Sequence, residues 1–97
     1  MERSLVERRL GQVGSRMKGL RSELAILDEQ RVQVIDEAED ARIRALVSET
    51  PISNKVHRTA NRHVEVIERR RREITRDIAK LEGIQDELLD RLVAERR

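Results

Sequence analysis

The chain has no phenylalanine, tyrosine or tryptophan among its 97 residues. Those rings carry much of the buried area of small compact cores, so a globular fold of this length is not expected. It has no cysteine either, which removes disulfide frameworks and thiolate metal sites and fits a reducing compartment. One proline and four glycines leave few breaks in the backbone, a composition of long helices rather than sheets. No apolar run approaches the length of a membrane span, and Met1 to Leu10 is interrupted by charge every few residues, unlike a signal peptide. A cytoplasmic setting with no membrane contact is therefore expected. Charged residues make up 41% of the chain, yet the net charge is only +2 and the apolar residues are periodic, which argues against disorder.

What is present is order, in two superimposed patterns. Along the first half, Val6, Leu10, Val13, Met17, Leu20, Leu24 and Leu27 recur with alternating spacings of 4 and 3, the seam of a heptad repeat. The same register continues through Arg31, Val34, Ala38, Ala41, Ala45 and Ser48, so the seam meets one charge and then narrows to alanine. In the second half Ala60, Val64, Ile67, Arg71, Ile74, Ile78, Leu81, Gln85, Leu88 and Leu92 alternate in the same way. Between the halves, Pro51 suits the first position of a new helix and Thr50 its N-cap, with Ser53 as the alternative cap. The spacing predicts a helix over about 3–47, a turn at about 48–51 and a second helix over about 51–95, in a single domain. Gly11, Gly14 and Gly19 weaken the first of these by about 1 kcal/mol each relative to alanine and leave that stretch to fray or to admit a closely approaching helix.

The charge pattern says how the helices pair. Residues 1–21 carry six basic against two acidic side chains, a net of +4, and residues 28–40 one basic against six acidic, a net of −5. The second half inverts the order: 58–72 has six basic against two acidic, a net of +4, and 77–95 two basic against six acidic, a net of −4. Folding the chain back near residue 49 sets plus against minus, whereas parallel in-register pairing sets like against like. Antiparallel pairing of the seams gives layers whose residue numbers sum to 98, from Val6 with Leu92 to Ala38 with Ala60. The fold class expected is thus all-α, a long antiparallel two-helix coiled-coil hairpin. Helices exchanged between two copies would satisfy the same pattern.

Arg31 and Arg71 stand on the seam, one layer apart. A polar residue in a buried register can fix alignment at a cost in stability, which makes both candidate register-setting positions or a notch for a partner. Alternatively, their stems pack in the seam while the guanidinium groups reach out to Asp28, Glu29 or Glu68. The run Arg69 to Arg72 invites a nucleic-acid interaction, but it is set against the acidic stretch of the first helix and no aromatic side chain is available for base stacking. His57 and His63, six residues apart, fall on different sides of a helix and cannot share a metal as i and i+4 histidines would. The acidic run Asp36, Glu37, Glu39, Asp40 lacks the turn and glycine of a calcium loop. No catalytic constellation or phosphate cradle is present in the sequence, so no enzymatic activity, cofactor, metal or small-molecule ligand is expected.

A second apolar stripe is the main functional hint. Val32, Ile35, Ile43, Leu46 and Val47 lie off the seam of the first helix, and Ile52, Val56 and Val66 off that of the second. Most are near the turn, where the seam shrinks to alanine, so they form the candidate partner or dimer interface. A homodimer packed as a four-helix bundle is the simplest way to cover them. The leading expectation is a non-catalytic coiled-coil interaction or assembly module whose partner is a second copy, another protein, or both. In architecture the chain also resembles the helical hairpins that transcription factors of the Gre and DksA type insert into RNA polymerase, which implies an alternative role as a transcription regulator. Those hairpins carry acidic residues at the tip, whereas this one has the single Glu49 among Ser48, Thr50, Pro51, Ser53 and Asn54. Nucleic-acid binding through the arginine-rich second helix is the least favoured role. The stretches Ala41-Arg-Ile-Arg-Ala-Leu-Val-Ser-Glu-Thr-Pro51 and Gln85-Asp-Glu-Leu-Leu-Asp-Arg-Leu92 are similar to those of small coiled-coil proteins of high-G+C Gram-positive bacteria, a resemblance that implies a bacterial, cytoplasmic setting and no active site.

Overall fold

Among the described residues there are two helices joined by two residues: α1 spans Glu2–Ser48 and α2 spans Pro51–Glu95. This computed structural model describes residues 2–96, and the fold is an all-α helical hairpin. The sequence places the elements within a residue of these bounds. Both ends of the connection are chemically specified. Glu49 adopts a left-handed backbone with φ of 47°, and its N–H donates to the Ala45 carbonyl at 3.0 Å. That single bond to the last turn is the αL way of ending a helix. Thr50 then caps α2. The Ser53 N–H donates to Thr50 Oγ1 at 3.1 Å, and the Thr50 N–H donates to Ser53 Oγ at 3.2 Å. This is a capping box in which serine does the work usually given to Glu or Gln at the third helical position, with Pro51 at the first. The alternative cap Ser53 is therefore the partner of the true one.

Contacts cluster into two units, one of Met1–Leu24 with Glu73–Arg97 and one of Ala25–Arg72. In the first, Val6, Met17, Leu20, Ile74 and Leu88 are buried, with Leu10, Val13, Leu24, Ile78, Leu81, Gln85 and Leu92 half-buried around them. Arg21 in its basic stretch meets Glu82 in its acidic stretch at 3.5 Å, the antiparallel sense that the charge pattern demands. Gly11, Gly14 and Gly19 lie inside unbroken helix, and a methyl group placed on any of them would meet nothing within 4 Å. Of the two readings of these glycines, neither a frayed helix nor a close approach is found: Gly11 and Gly19 are exposed, and Gly14, flanking the seam beside Val13, is half-buried with nothing against it.

The second unit contains the turn, and its core is different in kind. Its buried side chains are Ala41, Ala45 and Ala60. Leu27, Arg31, Val34, Ala38, Val64, Ile67 and Arg71 are half-buried, as are Ser53 and His57, which extend the α2 seam two positions toward the turn. Two cross-helix ion pairs mark the register here: Arg31 Nε to Glu68 Oε1 and Arg71 Nε to Asp28 Oδ1, each at 2.7 Å. Each pair joins a seam residue to the residue flanking its opposite number.

The turn generates a prediction. A side chain at φ near +50° costs about 1–2 kcal/mol, while glycine forfeits about 0.5–1 kcal/mol in chain entropy. Glu49→Gly should therefore raise stability by roughly 0.5–1 kcal/mol, and Thr50→Ala should lower it by about 1 kcal/mol. Thermal melts followed by circular dichroism check both, and a lower midpoint for Glu49→Gly would contradict the left-handed turn.

Candidate interaction surface

In an antiparallel helix pair each seam has two flanks, and like flanks of the two helices meet. The ion pairs mark one flank. On α1 it includes Asp28, Ile35 and Arg42, and on α2 Asn61 and Glu68. The opposite flank carries Gln30, Glu37 and Arg44 on α1 and Val56, His63 and Arg70 on α2. Arg31 and Arg71 themselves behave as stems in the seam with heads turned to the first flank. Arg71 also lies 4.0 Å from Glu68, so Glu68 sits between both guanidinium groups, with Asp28 on the far side of Arg71. The four charges form one half-exposed network that an arginine at either seam position cannot reach in a shifted register.

Every member of the second stripe is solvent-exposed. Val32, Ile35, Ile43, Leu46, Val47, Ile52 and Val56 retain between 36% and 81% of their accessible surface, and Val66 retains 63%. They do not share one face. Ile35, with Val32 and Leu46 beside it, lies on the flank of the ion pairs. Val56 lies on the opposite flank with Ile52 beside it, as Val47 is beside Arg44, while Ile43 points away from the seam. The α1 face is also interrupted. Between Ile35 and Leu46 the Arg42 guanidinium clasps Glu39 through two hydrogen bonds of 2.6 and 3.0 Å. That donation holds the Glu39 carboxyl below its ordinary range, with the charges of Arg42 and His57 acting in the same direction.

The opposite flank holds a groove of about 380 Å³. Ala41 and Ala60 form its floor, Val56 and Thr59 line one wall, and Glu37, Asp40, Arg44, Lys55 and His63 complete its margin. The sequence contained two signals for it. Alanines stand opposite one another in both seams, and Ile52, Val56, Thr59, His63 and Val66 repeat with spacings of 4, 3, 4 and 3, a second heptad line on α2. His57 is in the seam, its Nε2 3.2 Å from Asn61 Nδ2, and His63 is on the groove margin. Among the described residues, no group of three or more His, Cys, Asp or Glu side chains is placed to hold a metal ion, and no helix is long and apolar enough to cross a membrane. Of the arginine run, Arg71 is engaged by Asp28 and Glu68 and Arg70 is half-buried. Arg69 and Arg72 are exposed beside Glu65 and Glu68.

No protein-family model matches this chain, and neither a curated protein nor a solved structure matches it.

The polar seam is open to direct test. Both ion pairs are partly solvated, so each is worth about 0–1 kcal/mol, less than the roughly 1.5–3 kcal/mol available from a buried leucine. Arg31→Leu should raise the melting midpoint by a few degrees, equivalent to about 1 kcal/mol. A large loss of stability would contradict a role for Arg31 in alignment at the expense of stability.

Proposed function

We propose that this chain is a non-catalytic helical assembly module, which works by burying against further helices the aliphatic side chains that its own seam leaves uncovered. The simplest such assembly is a homodimer in which two hairpins pack as a four-helix bundle. One observation carries this reading: in Ala25–Arg72 the buried side chains are three alanines, while Val32, Ile35, Ile43, Leu46, Val47, Ile52, Val56 and Val66 stand in solvent. Scattered exposed aliphatics are ordinary. A concentration of them beside a seam of alanine is not, because alanine burial contributes little and each large aliphatic contributes about 1.5–3 kcal/mol when covered.

Area supports the same conclusion. The chain exposes 7465 Å², whereas a folded monomer of its mass is expected to expose about 5,800 Å². The difference, about 1,700 Å² per chain, falls within the range that obligate homodimers bury on each partner, about 1,000–2,500 Å². A cytoplasmic setting suits a cysteine-free chain.

Light scattering across the micromolar range tests the proposal. The expected mass is twice the 11.4 kDa of the chain, falling toward the single-chain value only on dilution. A mass of 11.4 kDa at every concentration, together with a full-height cooperative melt, would overturn self-assembly.

A further inference from the structure

We infer that a second copy of this chain seats on the Ala41–Ala60 groove, running antiparallel to the first about a two-fold axis, with Glu37 of each copy opposite Arg44 of the other. This rests on the reading of the chain as a self-assembling module and names the face and the orientation. The groove is where two helix pairs can come closest, since its floor is Ala41 and Ala60, one wall is Val56 and Thr59, and the long side chains stand at its margin. Small floor residues permit that approach without supplying a partner. The partner is specified by charge.

Along the groove the charges are ordered. Glu37 and Asp40 occupy the end away from the turn, and Arg44 and Lys55 the end beside it. Lys55 lies level with Arg44 because cross-helix neighbours in this unit have numbers summing to 98 or 99, as the Arg31–Glu68 and Arg71–Asp28 pairs show. Among the described residues, Asp40, Arg44 and Lys55 make no ion pair within the chain, and Glu37 accepts only a long 3.4 Å hydrogen bond from Gln33. A partner that answers this order must present basic then acidic charge in the same direction, which is what this groove presents when reversed.

An isologous interface must be complementary to itself. Face-to-face packing about an axis across the groove lays α1 on α1 and α2 on α2 with direction reversed. An axis level with the Asp40–Ala41 peptide then brings Glu37 against Arg44 twice and Val56 against Thr59 twice. It also brings Ile52 of each copy over His63 of the other, covering part of the second heptad line. The parallel arrangement sets Arg44 of one copy beside Lys55 of the other and is repelled. The opposite flank is a poorer candidate, because its charges Arg31, Glu68, Arg71 and Asp28 are already paired and the Glu39–Arg42 clasp divides its apolar residues.

Charge exchange tests both face and orientation on the full chain. Glu37→Arg and Arg44→Glu each turn two facing pairs from attractive to repulsive, and each should weaken self-association roughly ten-fold at low salt. Mixed in equal amounts, the two variants should form a heterodimer within about three-fold of wild-type affinity, because both pairs are attractive again. The doubly substituted chain should recover its homodimer for the same reason, and Val56→Glu should abolish it. Ile35→Glu with Leu46→Glu should leave it intact. Circular dichroism confirms that each variant is helical, and the rescue by mixing excludes misfolding as the cause of the losses. If the single charge variants associate like wild type, or if Ile35→Glu with Leu46→Glu abolishes the dimer, the groove is not the interface and self-assembly stands on the other face. If the wild-type chain is itself monomeric, the underlying reading falls as well.

Discussion

A bend of two residues governs everything else in this molecule. Glu49 in a left-handed conformation closes α1, and Thr50 opens α2 by exchanging hydrogen bonds with Ser53. A connection so short and so fully bonded leaves the second helix no freedom to slide, because a shift by one seam position would need three or four more residues in the loop. The register set there is the one in which Arg31 reaches Glu68 and Arg71 reaches Asp28. Arg71–Asp28 follows the broad charge map, basic stretch to acidic stretch, whereas Arg31–Glu68 is an exception to it. Arg31 is the single basic residue of the acidic stretch 28–40, and Glu68 is one of two acids in the basic stretch 58–72. Long-range charge order agrees with the antiparallel direction, and the local pairs agree with the layer.

From that register follows an uneven distribution of apolar burial. In the unit that buries Val6, Met17, Leu20, Ile74 and Leu88, the seam is aliphatic and closed on itself. In Ala25–Arg72 it offers alanine inside and valine, isoleucine and leucine outside. Hydrophobic stabilisation scales with apolar area removed from water, so this unit gains least from its own fold and most from a neighbour.

Much of this was legible in the sequence because it is periodic. Every position assigned to the two seams is buried or half-buried apart from Ser48, which ends α1, and Thr50 and Pro51 were readable as cap and first turn from their chemistry alone. The arginines were ambiguous, and the structure shows their heads turned out of the seam to carboxylates on one flank. What periodicity did not deliver was sidedness. Distance from the seam says that Ile35 and Val56 are both peripheral, but only the rule that like flanks meet places them on opposite sides. Grouping them as one surface was natural from spacing and is not how the hairpin presents them. The glycines of α1 were open to a reading as contact points, and nothing approaches them. Exposed charge was the other gap, because the reversed order of Glu37 and Asp40 against Arg44 and Lys55 has meaning only once the groove brings them together.

The register is the central claim, and a chain without cysteine allows it to be measured cleanly. Paired cysteines at Val34 and Val64, which share a layer, should oxidise rapidly to a disulfide within one chain, as their Cβ atoms should approach the roughly 4 Å that the bond needs. Cysteines at Val34 and His57, two layers out of step, should not. Efficient linkage of the second pair within a single chain, or linkage of the first pair only between chains, would contradict the hairpin register on which this account is built.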